Sequence, residues 1–190
     1  MSILSDKEII RLCEEEEFIS PFVRESVRYV DDKKVISFGP SSYGYDFRLS
    51  REFLIFSNAT QSDKAYIDPK DFDKDAYIRH EGDSVIIPPN GFILATSLEY
   101  IKMPKDITGV VVGKSTYARV GCNSLATPIE AGFEGNITWE FANCTPRPIK
   151  MFSGEGCVQI LFFRGEPCMT TYADRGGKYM YQRNVTLPYA

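Results

Sequence analysis

Val85-Ile86-Ile87-Pro88-Pro89-Asn90-Gly91-Phe92-Ile93-Leu94-Ala95 decides the fold class of this chain. Two short apolar and β-branched runs flank four turn-forming residues, which writes strand, tight reversal, strand. The texture repeats on both sides. Lys34-Val35-Ile36-Ser37-Phe38, Tyr45-Asp46-Phe47-Arg48-Leu49 and Phe53-Leu54-Ile55-Phe56 precede it, and Ile107 to Val112, Ile137 to Phe141 and Val158 to Phe163 follow. Aromatic residues make up 13% of the chain, as strands that pack on both faces require. Helical periodicity is confined to the N-terminus, so a parallel βαβ fold is excluded. The expectation is a mainly β protein, a distorted jelly roll or barrel with one short N-terminal helix, in a single domain over 1–190.

That helix begins after Ser5. Ser5 and Glu8 stand at capping-box spacing, Leu4 and Ile9 at staple spacing, and Ile9, Leu12 and Cys13 mark one apolar face. Glu14 to Glu17 read as its solvated side. Against 22 Lys and Arg stand 26 Asp and Glu, a net charge of −4 that argues against a polymeric nucleic acid as partner. No apolar run reaches the roughly 18 residues a membrane helix needs, and no secretory leader is visible at the N-terminus. Cys13, Cys122, Cys144, Cys157 and Cys168 show no Cys-x-x-Cys pair, which points to reduced thiols in a cytoplasmic protein rather than to a disulfide framework or zinc knuckle.

Three segments carry chemistry. Gly113-Lys114-Ser115-Thr116-Tyr117-Ala118-Arg119 follows an apolar strand. Gly109 to Ser115 is one residue short of a phosphate loop between its glycines, and its valines continue the strand, so a P-loop ATPase is rejected. A short helix starting near Lys114 would still turn free N–H groups toward an anion, and would set Ser115 and Arg119 on one face. Alone, the segment fits a capped strand-to-helix turn slightly better. In Gly135-Asn136-Ile137-Thr138-Trp139-Glu140-Phe141, strand alternation sends Ile137, Trp139 and Phe141 one way and Thr138 and Glu140 the other. Glu140 is then either a solvent-facing strand carboxylate or an enclosed one whose raised pKa suits general acid–base work. The third segment, Tyr172 to Gln182, places Arg175 and Lys178 around Gly176-Gly177, as a surface tail or as a basic arm able to fold over an anion. The single histidine, His80, sits in a charged stretch read as a loop. It supports neither a zinc deaminase site nor a Ser–His or Cys–His triad.

Taken together and in chain order, these segments resemble the dCTP deaminase family. The resemblance rests on Ser41-Ser42-Tyr43-Gly44-Tyr45-Asp46-Phe47-Arg48-Leu49, Gly113 to Arg119, Thr127-Pro128-Ile129-Glu130, Phe133-Glu134-Gly135 with Thr138-Trp139-Glu140, Gln159, and Tyr172 to Gln182. It implies a dUTPase-like jelly roll that forms a homotrimer with active sites shared between subunits. The implied reaction converts dCTP and water to dUTP and ammonia, in dUTP and dTTP biosynthesis. It uses no zinc or other catalytic metal, and Mg²⁺ accompanies the triphosphate. On this sequence Glu140 matches the general base. Ser115, with the backbone near Thr127 and Pro128, matches the groups that position the water, and Arg119 the cation beside the base. Lys114, Ser115, Thr116, Tyr117, Ala118, Arg119, Glu130, Thr138, Trp139, Glu140, Gln159, Tyr172, Lys178 and Gln182 match nucleotide contacts, with Glu130 near the sugar. Two positions depart from the pattern: Leu125 replaces a usual Asn or His, and Trp139 a usual aliphatic. The segment from about Tyr172 is expected to be a flexible arm, polar and adding little core, that closes over bound nucleotide. The resemblance leaves two further activities open, a bifunctional enzyme yielding dUMP and pyrophosphate and a catalytically silent nucleotide-binding regulator, as well as inhibition by dTTP.

Overall fold

The described part of this computed structural model comprises residues 2–57, 64, 66–125 and 127–188. In chain order its elements are β1 (Ser2–Ile3), α1 (Asp6–Glu16), β2 (Ile19–Ser20), β3 (Val27–Val30), β4 (Lys33–Ser41), β5 (Gly44–Phe56), a 3₁₀ turn (Lys74–Ala76), β6 (Tyr77–Glu81), β7 (Ser84–Ile87), β8 (Phe92–Lys102), β9 (Ile107–Gly113), α2 (Ser115–Ala118), β10 (Cys122–Leu125), β11 (Glu134–Asn143), β12 (Ile149–Phe152) and β13 (Gly156–Arg164). Every ladder between these strands is antiparallel, as the absence of helical crossovers requires.

β5 organises the architecture. Its first half pairs with β4 and β13, and its second half with β6 and β8. One thirteen-residue strand thus runs where the sequence indicates two, because Ser50-Arg51-Glu52 reads as a break. A register shift against β8 between Leu49 and Phe53 lets the strand bend from one layer to the next, and the polar residues fall at that bend. One layer is β4-β5-β13 with β9, β1 and β3 attached. The other is β6-β5-β8-β11-β10 with β2. Between them Tyr45, Phe47, Phe53, Ile93, Phe141, Ile160 and Phe162 are at most 1% exposed. Ile9 and Leu12 of α1 close one end of that core, and the β7–β12 ribbon adds Val85, Ile87 and Met151.

The reversal at Pro88 to Gly91 closes with Gly91 N–H donating to Pro88 O at 2.9 Å, and Asn90 takes a positive φ of 54°. Leu4 and Ile9 are both buried, but the expected capping box does not form. The Ser5 side chain makes no capping bond, and the Glu8 carboxylate accepts from Arg11 and from Arg164 of β13 instead. Two guanidinium groups outbid a single backbone N–H for one carboxylate. His80 lies on β6 rather than in a loop. Its ring tilts against Phe53 at 6.0 Å, and Nε2 lies 2.9 Å from Ser84 O. No described helix is long and apolar enough to cross a membrane.

Candidate active site

β11 sets the site by alternation. Ile137, Trp139 and Phe141 are buried in the core, while Thr138 and Glu140 emerge on the outer face of the second layer. In register, Glu140 stands between Leu94 of β8 and Leu125 of β10. Two leucines offer no compensation for a charge, and burial pushes the Glu140 carboxyl up to about 7. At that value the group exchanges its proton near neutral pH, which is what a general base requires.

The face around Glu140 is a cavity of about 710 Å³. One wall is the turn Thr127 to Glu130 with Phe133. A second is aromatic: Phe56, Phe72, Tyr77 and Phe92. Tyr77 is opposite Phe56 in register, the two rings meet edge to face at 5.5 Å, and burial together with the Glu140 charge pushes the Tyr77 phenol up to about 12. The third wall is the C-terminal segment, through Tyr172, Tyr179, Gln182 and Thr186.

That segment is docked along β11. Asn136 N–H donates to Gln182 O at 2.8 Å, Gln182 Nε2 donates to Asn136 O at 2.7 Å, and Thr186 N–H donates to Thr138 Oγ1 at 3.2 Å. Val185 N–H donates to Glu52 Oε2 at 3.2 Å, and the Arg183 guanidinium lies 3.9 Å over the Tyr100 ring. The packing is less polar than the sequence indicates. Val185, 7% exposed, joins Leu54 and Leu94 in a small apolar cluster apart from the main core, with Leu187 against it. The two glycines also differ in role. Gly176 takes a left-handed φ of 65°, whereas a Cβ on Gly177 would lie 2.1 Å from the Tyr172 ring. Gly177 is there to let that ring pack.

A second group forms on the first layer. Lys114, at the N-cap of α2, places Nζ 2.5 Å from Asp46 Oδ2. Gln159 Nε2 donates to Asp46 Oδ1 at 3.2 Å and to Ser41 Oγ at 2.9 Å. Ser115, Thr116, Ala118 and Arg119 are exposed, and α2 is the single turn expected near Lys114.

The sequence-derived candidates therefore separate into two sets. Glu130, Thr138, Glu140, Tyr172 and Gln182 line the Glu140 cavity, while Lys114, Ser115, Thr116, Arg119 and Gln159 do not. Glu130 is paired with Arg175 at the cavity rim, and Lys178 is exposed on the docked segment. Two side chains point elsewhere. Trp139 packs edge-on to Phe47 in the core at 6.0 Å, as alternation dictates. Tyr117 is buried, its hydroxyl accepting from Phe152 N–H at 3.3 Å. Either residue would offer a ligand only its backbone. Sequence reasoning passed over Asp46 and Tyr77. Asp46 lay within a quoted motif, and Tyr77 could have been found only from its register with Phe56.

Comparison with known proteins fits this geometry. A family model described as dCTP deaminase-like matches residues 3–165. The dCTP deaminase of Acidovorax sp. (strain JS42) is 50% identical over 191 residues, covering 100% of both chains. That of Orientia tsutsugamushi (strain Boryong) is 51% identical over 189 residues, covering 99% of both. The crystal structure of 2'-deoxycytidine 5'-triphosphate deaminase from Agrobacterium tumefaciens matches with a TM-score of 0.58 at 17% identity, over 86% of this chain and 46% of that one, a likeness of fold. Matched over most of its length by the family model, and end to end by relatives at half identity, the chain belongs to the dCTP deaminase-like family.

Proposed function

We propose that this protein deaminates dCTP hydrolytically, giving dUTP and ammonia, with Glu140 as general base. The observation that carries the reading is the position of Glu140: enclosed between Leu94 and Leu125, held near neutral pKa by burial, and facing a cavity able to take a nucleoside. In the forward step the Glu140 carboxylate takes a proton from water as its oxygen bonds to C4 of the cytosine, leaving a tetrahedral carbon. The carboxyl gives that proton to the ring nitrogen, then takes the remaining proton of the C4 hydroxyl and passes it to the departing amine. The C4–N bond then breaks, ammonia leaves and the C4 carbonyl of uracil forms.

Thr138 and Glu130 line the same cavity and are assigned to the nucleotide, Glu130 near the sugar, and the Tyr172-to-Thr186 segment would close the cavity to bulk water. Mg²⁺ arrives as part of the substrate, on the triphosphate. Ser115 and Arg119 do not line the Glu140 cavity of their own chain. We assign them to the Glu140 of a neighbouring copy, in a homotrimer whose sites are completed across subunits. Lys114 and Gln159 serve the phosphates.

An ammonia and product assay across dCTP, 5-substituted dCTPs, CTP and dUTP tests the reading. Ammonia and dUTP from dCTP support it. Pyrophosphate release would make the enzyme bifunctional, and nucleotide binding with no ammonia from any cytosine nucleotide would reduce it to a regulator.

A further inference from the structure

Asp46 is a carboxylate where an anion is expected to bind. It is 8% exposed on β5, directly opposite Gln159 in the β5–β13 register. The Lys114 ammonium lies against one of its oxygens at 2.5 Å and the Gln159 amide nitrogen against the other at 3.2 Å, with Ser41 Oγ holding the same nitrogen at 2.9 Å. The Lys114 and Asp46 side chains are only 10% and 12% exposed. The backbone is shaped to keep the lysine there: a Cβ on Gly156 would come within 3.2 Å of Lys114 Cε and 2.0 Å of Ser37 O. Burial pushes the Asp46 carboxyl above its usual range, and Lys114 and Gln159 both favour its charged form.

A solvent-exposed lysine would pay rotamer entropy each time it met a phosphate. One already fixed by Asp46 has lost that freedom on folding, and such immobilisation is worth roughly 2- to 10-fold in affinity per long side chain. An ammonium also carries three N–H donors, and Asp46 engages one side of it. We propose that Asp46 is a positioning residue for nucleotide binding, the hub of a Ser41–Gln159–Asp46–Lys114 chain that presents the lysine ammonium, already ordered, to the phosphates of the incoming nucleotide. The inference rests on the dCTP deaminase reading, from which the phosphate role of Lys114 comes. The competing effect is plain: an unyielding carboxylate could instead repel the triphosphate and occupy its lysine.

Steady-state kinetics of Asp46→Asn with Mg–dCTP separate the two, beside dUTP affinity by calorimetry. Asn keeps the shape and removes the charge. The expected result is a KM raised about 2- to 10-fold with kcat within about threefold, and dUTP affinity reduced by a matching factor. In a Lys114→Ala background, D46N should add less than about twofold, because the hub acts through the lysine. A KM that is unchanged or lowered, a loss confined to kcat, or full additivity with K114A would overturn the proposal. Should D46N not fold, Ser41→Ala loosens only the far end of the chain and is expected to raise KM about 2- to 3-fold; an unchanged KM there overturns it too. If the unsubstituted protein released no ammonia, the functional reading would fail, while the calorimetric comparison would still decide the role of Asp46.

Discussion

Val185→Ala isolates what holds the C-terminal segment on the Glu140 face. Val185 is buried against Leu54 and Leu94, in a cluster separate from the core between the layers. Its side chain therefore stabilises docking of the segment rather than the fold of the barrel. The substitution removes two carbons, and at about 0.8 kcal/mol for each it weakens docking by about 1.6 kcal/mol, a factor of about 15 in the open population. The hydrogen bonds from Val185 N–H to Glu52 and from Thr186 N–H to Thr138 Oγ1 open with it. Amide exchange reads this locally. Residues 182–187 should exchange about 15 times faster in V185A without nucleotide, while amides of β13 keep their protection. Saturating Mg–dCTP should restore slow exchange in the arm if closure accompanies binding. Unchanged exchange in 182–187 would refute the apolar latch, and a uniform increase over β13 would show that Val185 belongs to the barrel core.

Glu140→Gln should lower deamination by at least about 10²-fold with nucleotide affinity retained, by calorimetry; a loss under tenfold would reject Glu140 as the base. With the folded carboxyl near 7, the ionised base accumulates as pH rises, so kcat/KM should climb to a plateau above an apparent pKa of about 7. A limb below about pH 5.5 would show that the neighbouring copy's Arg119 already pairs with the carboxylate before substrate binds and outweighs the desolvation within one chain. The sign for stability is opposite: the native carboxyl keeps its proton where the unfolded chain releases it, so this contribution is full below pH 4.5 and is lost as pH rises through about 7, which chemical denaturation across that window measures. Arg119→Ala should abolish turnover yet leave the thermal midpoint within about 2 °C, since the side chain is exposed. Light scattering should give a trimer, and co-refolding E140Q with R119A should regain about a quarter of wild-type activity if each site takes its base and its arginine from different copies; no regain would mean that both come from one chain.

Legibility followed the range of the interaction. The alternation that turns Glu140 away from Ile137, Trp139 and Phe141 is a property of adjacent residues, and it read correctly. So did the turn at Pro88 to Gly91 and the single helical turn after Lys114. Ser50-Arg51-Glu52 misled because a bend between layers looks locally like the end of a strand. The capping box failed for a local and a long-range reason together: Arg11, three residues on, engages both Glu8 oxygens, and Arg164, more than 150 positions away, adds a second guanidinium to the same carboxylate. The apolar contribution of the arm was invisible in composition because one valine meets partners on β5 and β8. Family resemblance named the site residues, but not their division into two groups on the folded chain.

That division follows from two carboxylates treated differently by their surroundings. Glu140 and Asp46 both sit on strands with most of their surface withdrawn from water, and burial pushes both upward. Asp46 has the Lys114 ammonium in contact and stays bound to its cation, which suits it to holding charge in place. Glu140 has leucines on either side and is left near neutral pH, where the proposed base would take up and release a proton. The two lie on different layers of the barrel, one beside the cation proposed to meet the phosphates and the other beside the cavity proposed to take the base. The proposed assignment therefore places the nucleotide across a boundary between copies of this chain. On the proposed function assembly is part of catalysis: the base would be poised by the fold of one subunit, and the charge that recognises the substrate fixed by the fold of the next.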